Sequence, residues 1–163
     1  MNRGKVFEAE LKSSLECTGF TVMRIADRVY FDGHAIKSEQ TPADFLAWYP
    51  AEHVECFMFE AKATGEKRID FDRVQPHQEQ ALLDFDSTHA DMHGYVAVNF
   101  YNKENIRSFN QMYFVPISTW VELKGSLDRK SLPFDVCEDN EDIIKCVRVK
   151  GSVYDVSPLL TAI

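Results

Sequence analysis

"VECFMFEAKA" (54–63) is an apolar run that closes on a carboxylate and an ammonium, Glu60 and Lys62, with Ala61 between them. In an extended chain, residues two apart share a face. Cys56, Met58, Glu60 and Lys62 therefore lie on one face, and Phe57, Phe59, Ala61 and Ala63 on the other. The run predicts a strand enclosed for most of its length that carries two charges at its end. Upstream, "ADFLAW" (43–48) is a second strand candidate, joined to the first by "YPAEH". The short, Pro-containing connection predicts an antiparallel pair. Paired as a hairpin, Asp44 at the start of one strand faces Glu60 near the end of the other.

Working outward, residues 3–18 predict a helix, with Phe7, Leu11 and Leu15 on one stripe and Gly19 as its stop. Glu8 borders that stripe. Residues 20–33 have strand-like ends around an ambiguous middle, and 33–41 read as a polar loop. "TGEKRIDFDR" (64–73) is a charged loop leading to a second helix from Pro76 to Ala90. "GYVAVNFY" (94–101) and "QMYFVPI" (111–117) predict strands. "STWVELKG" (118–125) predicts a short helix capped by Ser118 and stopped by Gly125, 143–151 a strand, and "SPLLTAI" a closing helical turn. The order is that of an α/β protein: a mixed β-sheet flanked by helices, with residues 1–163 forming a single domain.

The chain has 163 residues and is 45% hydrophobic, enough for one core. Its start is charged, without the apolar stretch of a secretory signal, and no window suits a membrane span. The expectation is a cytoplasmic protein with no membrane partner. The four cysteines lie at no ligand spacing and predict free or buried thiols. The formal net charge of −8 excludes a generic polyanion binder, and "DVCEDNED" (135–142) reads as a solvated loop.

Two facing carboxylates repel unless a cation neutralises them. Mg²⁺ takes oxygen ligands, commonly one or two carboxylates, and stabilises charge on a phosphodiester under attack. A neighbouring lysine can orient the nucleophile or neutralise developing charge. A lone Glu-x-Lys arises readily by chance and is equally read as a surface ion pair. Here it stands in a longer order: "NRGKVFE", then "PADF", "FEAKAT" and "VQPHQEQALL", followed by "MYFVPI" and "RKSLPFDV".

In order and spacing these stretches resemble the RecU-type Holliday junction resolvases of the PD-(D/E)xK nuclease superfamily. The resemblance implies a restriction-endonuclease-like fold and a Mg²⁺-dependent DNA endonuclease, Mn²⁺ substituting, that acts as a homodimer on four-way junctions in recombination and repair. It implies Asp44 and Glu60 as metal ligands, Glu8 as an additional acidic member of the metal site, Lys62 as the catalytic cation, and Gln78 as orienting the nucleophile or supporting Lys62. Arg3, Lys5, Lys67, Arg68 and Arg73 are the candidate DNA contacts. Such a gene suits a bacterium, or a phage in a bacterial host. Two departures stand out: the connection from Asp44 to Glu60 is too short for the stalk that RecU proteins project into the junction, and the chain is acidic.

Other residues have plainer readings. Glu8 with Lys12 is equally a surface helix pair, and His89 and His93 read as solvated residues before a strand. Among the aromatics Tyr101 is the best exposed candidate for stacking a base. Two alternatives stay open: another nuclease of the superfamily, acting on duplex, flap or single-stranded DNA, and a non-catalytic binding module with a nuclease-like fold.

Overall fold

The computed structural model describes residues 2–26, 28–31, 33–34, 36–149 and 153–162. Helix α1 (Arg3–Thr18) opens where the Asn2 side chain accepts the Gly4 N–H at 3.1 Å. It closes at Gly19, whose φ of 102° is the left-handed conformation that glycine adopts without Cβ strain. Strands β1 (Thr21–Arg24), β2 (Arg28–Phe31) and β3 (Ile36–Glu39) follow. Next come β4 (Phe45–Pro50) and β5 (Val54–Thr64), then β6 (Arg68–Asp70), a 3₁₀ turn at Phe71–Arg73 and α2 (Pro76–Asp86). The second half comprises β7 (Met92–Tyr101), β8 (Asn110–Pro116), α3 (Ile117–Ser126), β9 (Ser131–Pro133), α4 (Phe134–Asp139), β10 (Ile144–Cys146) and a 3₁₀ turn at Ser157–Thr161.

Six strands form one mixed sheet in the order β1-β4-β5-β7-β8-β10. β5 and β7 are parallel and are connected through α2; the other neighbours are antiparallel. The predicted β4–β5 hairpin is present, with Phe45 opposite Phe59. One face of the sheet packs on α1 through Phe7, Leu11, Phe45, Phe57, Phe59 and Phe114. The other packs through Leu82 of α2 and Ile117 and Trp120 of α3 against Val96, Val98 and Val115. This is the expected α/β architecture, and it places β5 between two cores.

Several elements differ from the sequence reading. The polar stretch 33–41 contains β3, which pairs with β2; residues 32 and 35 lie outside the described set. The charged loop 64–73 contains β6, which pairs with β9 sixty residues further on. Helix α2 ends at Asp86 rather than Ala90, because the Ser87 and Thr88 hydroxyls donate to the Asp84 carbonyl at 3.1 and 2.7 Å and close the last turn. Ser118 does not cap α3; the helix starts one residue earlier, behind Pro116, and Gly125 lies within it. The acidic run 135–142 is not merely a loop. Residues 134–139 form α4, with Cys137 buried and Glu138 accepting from Tyr113 and Lys145. The final strand covers only 144–146, and residues 150–152 of the predicted span are outside the described set.

Candidate active site

Alternation along β5 places Glu60 and Lys62 on the side that faces α2, while Phe57 and Phe59 enter the α1 core. The β4–β5 register brings Asp44, one residue before Phe45, opposite Glu60. Two backbone bonds pin it there: the Asp44 N–H donates to the Phe59 carbonyl at 3.0 Å, and the Asp44 carbonyl accepts the Ile25 N–H at 2.9 Å. Its carboxylate is aimed as well, since Oδ2 accepts the Ala61 N–H at 2.8 Å. The geometry inferred from the hairpin is therefore built by main-chain pairing, with β1 as a third support.

Glu60 is 1% exposed. One oxygen takes the Lys62 ammonium, itself 17% exposed; the other, Oε2, is buried with no hydrogen-bond partner. Burial raises the Glu60 carboxyl and the Asp44 charge raises it further; Lys62 and the Gln78 amide pull it back, leaving it at about 7. An orphaned buried carboxylate oxygen facing a second carboxylate is the arrangement a bound cation completes. Asp44 and Glu60 thus fit a divalent metal, with the hard oxygen donors Mg²⁺ and Mn²⁺ take.

Glu8 reaches this pair from α1. Its Oε2 accepts from Arg24 at 2.7 Å, rather than pairing with Lys12, which sits 3.7 Å from Glu16. Burial first, then the Asp44 charge, raise the Glu8 carboxyl, against the lowering influence of Arg24, Lys5 and Lys62. Among the described residues no three His, Cys, Asp or Glu side chains are gathered closely enough to hold a metal. Glu8 therefore borders the Asp44–Glu60 pair. Gln78 stands in the first turn of α2, where its Oε1 accepts the Gln75 N–H at 3.0 Å. That bond leaves its NH₂ to face the site.

Of the candidate DNA contacts, Lys5, Lys67, Arg68 and Arg73 are exposed. Lys67 lies in the turn after β5, and Arg68 opens β6. Arg73 donates to the Ala63 carbonyl at 2.9 Å, which holds the turn against β5. Arg3 does not join this set. Its guanidinium is 11% exposed and donates to Glu10 at 2.7 Å and Asn99 at 2.9 Å. It is a part-buried clamp between α1 and β7, paired with Glu10. His93, expected as a solvated residue before a strand, lies within β7 and is part-buried, with Nε2 at 2.9 Å from Glu55. Arg24 was missed, because its place beside Asp44 depends on β1 pairing with β4 and not on any local pattern.

The model of the family described as RecU, recombination protein U, matches residues 2–153. The chain belongs to the RecU family. The residues that carried the resemblance, from Asn2 to the 129–136 stretch, lie inside the matched span. Among solved structures, the RecU-family chain is similar to Hjc of Archaeoglobus fulgidus, a Holliday junction resolvase from an archaeal hyperthermophile. The match is 19% identical, covers 82% of this chain and 90% of Hjc, and has a TM-score of 0.51. The two share the fold, an α/β mixed sheet of restriction-endonuclease type. The structure of SSO0001 also aligns, at 14% identity over 84% of this chain and 65% of its own, with a TM-score of 0.31. A search of curated sequences returned no match. Among the described residues no helix is long and apolar enough to cross a membrane, and all four cysteines are free.

Proposed function

We propose that this RecU-family chain is a Mg²⁺-dependent endonuclease that resolves four-way DNA junctions, with residues 1–163 acting as one nuclease domain. The observation that carries the reading is the Asp44–Glu60–Lys62 constellation, in which Glu60 keeps a buried oxygen without a partner. When bound between the carboxylates, a divalent ion supplies the positive charge that an in-line displacement at phosphorus needs. The chain's own part is to aim and to balance. The Ala61 N–H orients Asp44, and Glu60 presents Oε2 from a water-poor strand. Lys62, held against Glu60, neutralises charge that builds on the phosphate oxygens, and preorganised groups of this kind are worth about 10²–10³ in rate. Gln78 orients the nucleophile, and Glu8 with Arg24 closes the other side of the site.

Lys5, Lys67, Arg68 and Arg73 supply phosphate contacts, so a local basic face operates on a chain of net charge −8. Binding then weakens steeply with salt. Two nicks related by the junction's two-fold axis call for two sites, which a C2 homodimer provides. Such an activity belongs to recombination and repair in a bacterial cytoplasm, from a host or phage gene.

The test is Mg²⁺-dependent cleavage of a synthetic four-way junction beside its matched duplex, flap and single strands. Paired symmetric nicks in the junction are expected, lost in Asp44→Asn, Glu60→Gln and Lys62→Met. Preferred cutting of linear duplex would replace this reading with another nuclease of the superfamily. The short turn between β4 and β5, residues 51–53, is the feature that favours that alternative, since nothing projects from it. Full activity in an Asp44→Asn/Glu60→Gln double variant would sink the nuclease assignment.

A further inference from the structure

Beyond the metal pair, a cleft of about 580 Å³ opens where β5 and β7 end, lined by Gly65, Glu66, Lys67, Tyr101, Lys103, Glu104, Phe109 and Phe134 over a floor of Phe100. β5 and β7 are the parallel pair, with Thr64 opposite Phe100. The space outside the carboxyl ends of parallel strands is where open α/β sheets commonly take ligands. Gly65 lies three residues beyond Lys62, about 10 Å along the strand and roughly three nucleotide steps of a DNA strand.

The walls are aromatic and the rim is charged. Phe109 meets Phe134 edge-on at 5.3 Å, and Phe134 meets Phe100 at 5.4 Å. Phe109 is nevertheless 39% exposed and lines the cleft. Tyr101 lines the same cleft, but the Arg3 guanidinium lies over its ring at 5.3 Å, so the accessible ring is that of Phe109. Lys103 runs across Gly65, where an added Cβ would collide with its stem, and pairs with Glu66. Both partners are more than half exposed, so water screens the pair and a phosphate can exchange for Glu66.

We infer that this cleft is a nucleobase site: an unpaired base near the branch stacks on Phe109, while Lys103 and Lys67 hold its phosphate. The inference rests on the nuclease reading for its substrate and adds to it a means of sensing unstacked bases. A fully paired duplex presents no base to the cleft. A four-way junction is fully paired as well, but its base stack is interrupted at the branch. A base opened there can enter the cleft, so the site weights binding toward branches without reading sequence.

The experiment places 2-aminopurine at successive positions from the branch of a four-way junction and follows its emission and anisotropy with the full chain, Ca²⁺ replacing Mg²⁺. One position is expected to respond. Phe109→Ala should abolish that response and weaken junction binding roughly 5- to 100-fold, with duplex binding and the melting transition unchanged; Phe109→Trp should restore both. Lys103→Ala should lower the salt slope by about one phosphate contact. Absence of any responding position, or equal loss on junction and duplex, overturns the inference. The outcomes separate from those of the function: if no four-way DNA is cut but a probe in a single strand still responds through Phe109, the resolvase reading fails and the base site stands.

Discussion

Asp44 and Glu60 face each other across the β4–β5 hairpin. The Ala61 N–H holds the Asp44 carboxylate at 2.8 Å, and among the described residues Glu60 Oε2 accepts no hydrogen bond. Such a pair costs folding energy without a cation, so metal binding and stability are coupled. Glu60→Gln keeps the shape and removes the charge. In metal-free buffer above pH 7 the variant should be more stable than the parent by about 1–3 kcal/mol, because burial and the Asp44 charge oppose the ionised Glu60 by more than Lys62 offsets, as measured by denaturant unfolding. It should also lose Mn²⁺ binding in calorimetry.

The same pair sets a pH dependence. Glu60 sits at about 7 in the folded chain against an ordinary 4.5, so between those values the folded chain keeps a proton that the unfolded chain has released. Stability of the metal-free protein should therefore fall as pH rises from about 4.5 to 7, by about 3 kcal/mol in all, and stay low above 7. A cation requires the ionised form. The increase in melting temperature on adding Mn²⁺ should thus grow between pH 5.5 and 8, and a flat profile would contradict the coupling.

Arg3 ties α1 to β7 through Glu10 and Asn99. Removing its charge leaves Glu10, 5% exposed, and Asn99, fully buried, without their main cationic partner. Arg3→Leu should cost about 3–5 kcal/mol, and Arg3→Lys should recover little, because an ammonium cannot reproduce the planar fork. Where the variant folds, the salt slope of DNA binding should match that of the parent.

Gly94 fixes how closely α2 lies on β7. A Cβ there would stand 2.6 Å from the Leu82 carbonyl oxygen and 3.2 Å from its carbon, backbone atoms that cannot yield. Gly94→Ala should lift the helix and cost about 1–3 kcal/mol. Gln78 rides on the same helix, so cleavage should fall more than unfolding alone explains, as read from kcat at a temperature where the variant remains folded.

The central pieces of this site were legible in the residues because they depend on local covalent geometry. Two-residue alternation puts Glu60 and Lys62 on one face whatever surrounds them, and a short connection forces the hairpin that brings Asp44 opposite. The helix from Arg3 to Gly19 follows equally from an apolar stripe and a glycine stop. Family resemblance extended this to Glu8 and Gln78, both of which the structure brings to the edges of the carboxylate pair.

What the sequence by itself determined, then, is which side chains each element presents; what only the tertiary structure decided is which distant elements meet. Arg3 looked like a free cation until Glu10 and Asn99 enclosed it, and Glu8 found Arg24 instead of its helical neighbour Lys12. β6 became a strand only because β9, sixty residues away, supplied its hydrogen bonds. The burial that raises Glu60 toward neutrality likewise comes from two cores closing on β5 from opposite faces. Such pairings depend on summed contacts between segments remote in the chain, and no short window of residues encodes them.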